Sequence, residues 1–454
     1  MEQVLSHLKA QRDAHLKWTR DLCAIPSIST KQEHRADVAK SVQFTHELCE
    51  KIGLKSRVME TGGHPLVYAE WTGAPNAPTF LAYGHVDVQP TGDLSLWNAD
   101  PFEPIVKGDW LICRGSADDK GQVLLYLRAA EAWLKTHGKL PVNMKFLIEA
   151  EEEIGSPNLA PFVSKHRDML AAEAVLISDT GMYKDGYPTL TIGTRGLVYK
   201  EVLVSGPTVD LHSGTHGGVI PNPTNVIARL VASLHDADGK VTVKDFYKNV
   251  VDASAEERKR LAELPFNERE YLDSLGPNTM PAGEKGWTTQ ERRSCRPTLD
   301  CNGIFGGFMQ PGANTIIPAK AGAKISMRLV PNQNAEKIAA AFDETIRERC
   351  PKGVKLEIHS HGSADAYVTP IDSPVLKAAE RALQDAYGQK PALIREGGSL
   401  PILPMFQREL GAPSILLGFA SPHCNAHGPN EKAFIPDLDR GAETIARLFQ
   451  LLAK

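Results

Sequence analysis

The chain opens with two stretches of helical periodicity. Over residues 2–23, Val4, Leu5, Leu8 and Leu22 fall on or near one face, and residues 32–53 repeat the pattern. Short β-rich apolar runs follow at Pro65–Trp71 (PLVYAEW), Thr79–Val88 (TFLAYGHVDV), Asn143–Ala150 (NMKFLIEA) and Ala174–Asp179 (AVLISD). Helical stretches at about 121–137 and 158–170 separate the last three. Near-continuous apolar strands alternating with helices predict an α/β domain with a mostly parallel sheet covered on both faces.

The texture changes near residue 196. LVYKEVLVSG alternates like a half-buried strand, and a Pro/Asn-rich turn at Ile220–Thr224 opens a helix over Asn225–His235. Residues 238–300 are more polar and include the charged run AEERKRLAELPFNEREYL. Strands at Ala323–Val330 and Val354–His359 flank a helix at about 335–349. This block predicts a separate α+β domain inserted into the first. From Ser373 the α/β texture returns, with a helix at 373–387, a strand at Pro413–Phe419 and a closing helix at 437–453. The expected organisation is therefore 1–195 and 369–454 as two parts of one domain, with 196–368 inserted between them. No internal repeat or low-complexity tract interrupts it.

Composition narrows the function. A length of 454 residues suits two or three domains, and 42% apolar with 23% charged residues excludes wholesale disorder. The 51 basic and 55 acidic residues give a net charge of −4, which argues against a nucleic-acid partner. No apolar run is long enough to span a bilayer, so no membrane partner is expected. The first 22 residues carry charges throughout and lack the apolar core of a secretion signal. Seven scattered cysteines without a C-x-x-C pair oppose a disulfide framework or a thiolate zinc site, and a cytoplasmic location is expected. Only the fold decides whether Cys295 and Cys301 meet.

Several apolar strands end in potential metal ligands. His85 and Asp87 in GHVDVQP lie two apart, so on a strand they face the same way. Open α/β sheets place ligand sites at the carboxyl ends of strands. A lone histidine there is more often structural. RGSADDKG carries two adjacent aspartates that also suit a helix N-terminus. EAEEEIGS packs four carboxylates into five residues directly after a buried strand, where a solvated charge run is unusual and a cation would relieve the repulsion. Asp179 in LISDT ends another strand and would serve equally as a cap. Taken together, oxygen and imidazole donors without thiolates suit a hydrolytic zinc, manganese or cobalt site. More than four such donors suggest two metals sharing a bridging carboxylate.

GHVDVQP, RGSADDKG, EAEEEIGS, LISDT, DLHSG, MRLVPN, EGGSLP and NAHGPNE stand in the order expected of the M20 metallopeptidases. The chain resembles that family over nearly its whole length, and within it the cytosolic nonspecific dipeptidase and carnosinase branch. The resemblance implies a zinc-peptidase-like catalytic domain with a mostly parallel mixed sheet, and an inserted lid or dimerisation domain. It implies two divalent metal ions per chain, zinc (Zn2+) first and manganese (Mn2+) as the alternative. One metal would be held by His85, Asp118 and Asp179, the other by Asp118, Glu153 and His427. Asp87 would orient His85, Asp118 would bridge and be joined to Asp119 by a cis peptide, and Glu152 would be the general base. Glu151 leaves the register of the base open by one residue. His423 lacks the H-x-x-N-E context that His427 has.

The same resemblance makes His212 in DLHSG a hydrogen-bond donor to the attacked carbonyl, contributed across a homodimer formed by the inserted domains. His216, in the same loop, receives no role. Arg328, Thr315 and Ser399 match substrate-contacting positions. A guanidinium forks onto a carboxylate, which suits a free peptide C-terminus. Without the resemblance, His212 would read as a loop histidine, Arg328 as an exposed or ion-paired strand arginine, and Gly397–Ser399 as a tight turn. The expected activity is metal-dependent hydrolysis of amide bonds in dipeptides or similar small substrates with a C-terminal carboxylate. The alternatives are an N-acyl amino acid deacylase of the same family and a catalytically inactive metal-binding relative. Intact Glu152 argues against the second alternative. No G-x-S-x-G elbow, P-loop or G-x-G-x-x-G fingerprint occurs.

Overall fold

A computed structural model describes residues 1–453. They form two compact units. The first comprises Met1–Ile192, Thr369–Ile394 and the chain from Met405 on. The second comprises Gly193–Val368 and Arg395–Pro404, so the segment carrying Ser399 groups with the second unit.

The first unit is built on a large mixed sheet. Its strands run in the order Lys55–Met59, Leu66–Trp71, Asn143–Glu149, Thr79–His85, Ala174–Ile177, Ser414–Gly418 and Thr189–Thr194. The central pairs are parallel: Thr79–His85 pairs with Asn143–Glu149 and Ala174–Ile177, and Ser414–Gly418 pairs with Ala174–Ile177. The flanking pairs are antiparallel. The central strands are the near-continuous apolar runs, buried on both faces as parallel strands are. Phe80, Ala82, Phe146, Ile148, Leu176 and Ile415 join Val123, Leu127, Ile445 and Phe449 of the covering helices in one core.

Register positions the site. His85 pairs with Glu149 and Tyr83 with Ile177. The carboxyl ends of three strands therefore reach the same edge of the sheet. The helix Lys120–His137 starts beside that edge and is buried from Lys120 to Trp133, which accounts for its long apolar run. The N-terminal pattern differs from the expected single helix. Gln11 leaves helical geometry (φ −94°, ψ 8°) and separates Glu2–Ala10 from Arg12–Cys23. The stretch at 158–170 is likewise interrupted, at His166.

The second unit has an antiparallel sheet in the order Thr298–Gly306, Lys320–Leu329, Gly196–Ser205 and Lys355–Ala364. Gly196–Ser205 alternates buried and half-buried residues along its whole length, as its sequence predicts. Val198, Val202 and Val204 pack with Ile227, Leu230, Phe342 and Ile346 from the helices Pro223–Ala232 and Ala335–Arg349. Thr298–Gly306 overlaps only the end of the stretch read as polar, and no strand is predicted there. It is an edge strand of exposed and half-buried residues with only Leu299 buried, and it has a bulge between Cys301 and Gly303, so it carries no alternating apolar signal. Cys295 is buried, Cys301 is exposed, and all seven cysteines are free thiols. Among the described residues no helix is long and apolar enough to cross a membrane.

Candidate metal centre

The site is assembled from the carboxyl ends of the central strands. His85 is fully buried. Its Nδ1 lies 3.1 Å from the Asp87 carbonyl oxygen and 3.4 Å from the Asp87 carboxylate. Its Nε2 faces Asp118 Oδ1 at 3.2 Å and Asp179 Oδ2 at 3.8 Å. The buried Asp87 carboxylate also accepts from the backbone N–H groups of Glu152 (3.3 Å) and Glu153 (3.1 Å). One carboxylate thus orients both the imidazole and the Glu152–Ile154 turn.

Asp118 is joined to Asp119 by a cis peptide. Its second oxygen, Oδ2, lies 2.9 Å from His427 Nε2, which is 3.4 Å from Glu153 Oε2. Gln89 Nε2 donates to the same Glu153 oxygen at 2.7 Å. Among the described residues, two groups bring ligand atoms within 4.8 Å of one another: His85, Asp118 and Asp179, and Asp118, Glu153 and His427. Asp118 belongs to both.

The three successive glutamates point to different places. Glu151 accepts from His64 N at 2.9 Å and from Asn158 Nδ2 at 2.8 Å, which ties its carboxylate to the 62–64 loop. Glu153 faces His427. Glu152 is left beside His85, Asp179 and Asp87, whose charges it feels. Glu149, the last residue of its strand, is taken up by Tyr83 Oη (2.5 Å) and Ser156 Oγ (2.8 Å). His423 turns elsewhere, 3.6 Å from Asp185.

The charges are poorly balanced without a cation. Burial pushes Glu152 well above the usual carboxylate range, and Asp179, Glu153 and Asp87 add to this. Burial, with Asp118, pushes Glu153 up to about 7. Burial and Asp179 raise Asp119 strongly. For Asp118, burial is outweighed by His427 and His85, and its pKa falls. Burial opposes the charged form of His85, but Asp118, Asp87 and Asp179 hold it well above its ordinary value. Crowded oxygen and imidazole donors of this kind fit divalent cations of the zinc or manganese type.

Residues 81–451 match peptidase family M20/M25/M40. The chain belongs to this family. It is a metallopeptidase. It is 31% identical over 444 residues to the Cys-Gly metallodipeptidase DUG1 of Candida albicans, covering 93% of this chain and 91% of the relative. It is 28% identical over 472 residues to the human Beta-Ala-His dipeptidase, covering 100% of this chain and 93% of the relative. An M20 family metallo-carboxypeptidase from Sulfolobus solfataricus superimposes with a TM-score of 0.87 at 31% identity, covering 97% of this chain and 99% of that one.

In this M20 metallopeptidase Arg114 of RGSADDKG and Glu431 of NAHGPNE also build the site, although residue type and spacing alone do not mark them. Arg114 Nη1 meets Glu431 Oε2 at 2.7 Å, and Glu431 Oε1 accepts from the backbone N–H groups of Ala117 (3.0 Å) and Asp118 (3.1 Å). Arg114 Nη2 donates to the carbonyls of Pro90 (3.1 Å) and His427 (3.2 Å). The pair thus braces the Asp118 loop against the His427 loop.

The second unit of the metallopeptidase carries the other candidates. His212 is exposed on the strand Leu211–His212, and its Nδ1 accepts from Gly214 N at 3.0 Å. That bond leaves the proton of the neutral ring on Nε2, which is then a donor. Thr315 is exposed, and its carbonyl accepts from Ser213 N at 2.9 Å. Arg328 Nη1 donates to Ser399 Oγ at 2.9 Å. Arg195 holds the same loop through Gly397 O at 3.0 Å, and burial, with repulsion from Arg328, depresses its guanidinium to about 10. The sequence offered no signal for Arg195 beyond its position after a strand.

Proposed function

We propose that this chain is a two-metal dipeptidase acting on small peptides with a free C-terminal carboxylate. The observation that carries the reading is the division of Asp118 between two ligand groups, Oδ1 toward His85 and Oδ2 toward His427. We assign one divalent ion to His85, Asp118 and Asp179, and a second to Asp118, Glu153 and His427. Zinc is the metal we expect, with manganese as the alternative. When bound, such a pair would polarise the scissile carbonyl and acidify the attacking water.

The protein groups divide the remaining work. Glu151 is engaged by His64 and Asn158, and Glu152, beside His85 and Asp179, takes a proton from the attacking water. It then delivers that proton to the leaving amine. Its burial favours the protonated form, which suits the second task. Asp87 holds His85 and the Glu152 turn in one arrangement. His212 supplies an N–H to the developing oxyanion. Arg328, with Ser399 and Thr315, receives the substrate carboxylate through a guanidinium fork.

We further propose that 196–368 is a lid and dimerisation domain inserted in the catalytic domain, and that a homodimer brings His212 to the partner's site. A reducing cytoplasm suits the seven free thiols. The names of the relatives, two dipeptidases and a carboxypeptidase, favour peptide over N-acyl substrates.

The decisive assay uses protein reconstituted with zinc or with manganese, on dipeptide and N-acetyl amino acid panels in parallel. Dipeptides should turn over faster, and elemental analysis of active protein should give about two ions per chain. Preferential hydrolysis of N-acetyl amino acids would make it a deacylase instead. Fewer than one ion per chain would overturn the two-metal reading.

A further inference from the structure

The first unit holds a cavity whose chemistry the proposed peptidase activity does not use. It has a volume of about 490 Å³ and lies among the helices Glu2–Ala10, Arg12–Cys23, Lys120–His137 and Ile435–Leu452. Cavities of this size hold small molecules. Four cationic side chains line it, Lys9, Arg12, Arg128 and Arg440, against two acids, Asp439 and Glu443. Glu443 is held by Arg447 on its own helix at 2.6 Å. That leaves Asp439 as the carboxylate available to the cavity. Arg12 already takes it at 2.6 Å, while Arg128 reaches it only at 4.0 Å. His15 also lines the cavity, and burial lowers its pKa, which favours the neutral ring.

Arg128 is the unusual member. It is 2% exposed. Nη2 donates to the His15 carbonyl at 3.3 Å and to Thr19 Oγ1 at 2.5 Å. Nε has no hydrogen-bond partner. A guanidinium carries five N–H donors, and a buried cation left partly unpaired is costly. Burial depresses Arg128 to about 10, so it stays charged at neutral pH. Arg12 is paired with Asp439 and Arg440 faces Asp437 at 3.6 Å, so Lys9 and Arg128 are left as the positive excess of the cavity. Leu5, Leu8 and Ala442 provide apolar wall for a small organic skeleton.

We propose that this cavity binds a compact dianion, a phosphate or a small dicarboxylate, with Arg128 at its base and Lys9 and Arg440 at its rim. The site lies apart from the residues assigned to the metal centre, and the proposal stands whether or not the chain is a dipeptidase. A ligand there would tie the N-terminal helices to the C-terminal one, so it should raise Tm as well as bind.

The test is calorimetric titration of the metal-loaded full chain with inorganic phosphate and, separately, with succinate at constant ionic strength. The same titrations are run on Lys9→Ala/Arg440→Ala, whose changes are at exposed positions outside the proposed catalytic machinery. We expect saturable binding of one anion per chain, a rise in Tm, and an affinity loss of roughly tenfold or more in the double variant. Binding of phosphate alone identifies a phosphate site, and binding of succinate alone a dicarboxylate site. Saturable binding of neither anion overturns the proposal. So does equal binding to wild type and double variant, which would place the anion elsewhere, such as the metal centre. Arg128→Lys keeps the charge but loses the fork, and unchanged affinity in that folded variant would also overturn it.

Discussion

The Arg114 guanidinium meets the Glu431 carboxylate at 2.7 Å, and each side chain is only 1% exposed. Between them they hold the backbones of Asp118 and His427. Removing one partner of a buried pair leaves an uncompensated charge and typically costs about 3–5 kcal/mol. Residues that orient metal ligands are typically worth about 10–100-fold in metal affinity. Arg114→Met and Glu431→Gln should therefore lower both Tm and metal affinity. Thermal unfolding and titration against a competing chelator measure the two. Unaltered metal affinity in a folded variant would show that the two loops are held by other contacts.

Glu152→Gln should retain metal and fold and lose turnover by about 10²–10⁴-fold, the usual effect of removing a general base. Glu151→Gln should behave differently. Its carboxylate accepts from His64 and Asn158, so the change loosens the 62–64 loop with a smaller effect on kcat. Steady-state kinetics on both variants decide the register. A severe kcat loss in Glu151→Gln, with Glu152→Gln near normal, would reverse the assignment.

Sharing of sites between subunits is tested by mixing two inactive proteins. His212→Ala and Glu152→Gln, combined under subunit exchange, form mixed dimers in which one site has both wild-type groups if His212 is donated across the dimer. Activity should then partly return. If exchange is demonstrated and no activity returns, His212 acts within its own subunit or not at all.

Asp437 gives a pH prediction remote from the metal centre. It is 1% exposed, and neither carboxylate oxygen has a hydrogen-bond partner. Burial pushes its pKa from 3.8 to about 6, with Arg440 at 3.6 Å pulling down and Asp185 pushing up. The raised value means the folded state favours the protonated acid. Its stabilising contribution is complete below about pH 4 and is lost as pH rises through about 6. The full swing is on the order of 1–3 kcal/mol. Asp437→Asn cannot ionise, so its stability relative to wild type should increase between pH 4 and pH 7. Urea unfolding of both proteins across that range measures the difference, and a difference independent of pH would refute the argument.

Much of the architecture is written locally in the chain. The central strands announce themselves because strands buried on both faces must be apolar throughout, as in Phe80–Tyr83 and Phe146–Ile148. Helical periodicity marked Lys120–His137 and Ala335–Arg349 for the same reason of burial. His85 and Glu152 were legible because polar residues directly after buried strands stand out from their surroundings, whereas Asp118 stood out as paired acids at a helix start and His427 through the resemblance of its motif alone. Other features depend on contacts between distant segments. Parallel register brings His85 level with Glu149. Which glutamate faces the metal groups is decided by His64 and Asn158, which capture Glu151. The Arg114–Glu431 brace joins segments far apart in sequence, and neither residue type predicts its partner. The edge strand Thr298–Gly306 buries only Leu299, too little to impress a pattern on its sequence. Local periodicity reports which side of an element is dry, whereas pairing, side-chain direction and charge compensation exist only once the chain has closed on itself.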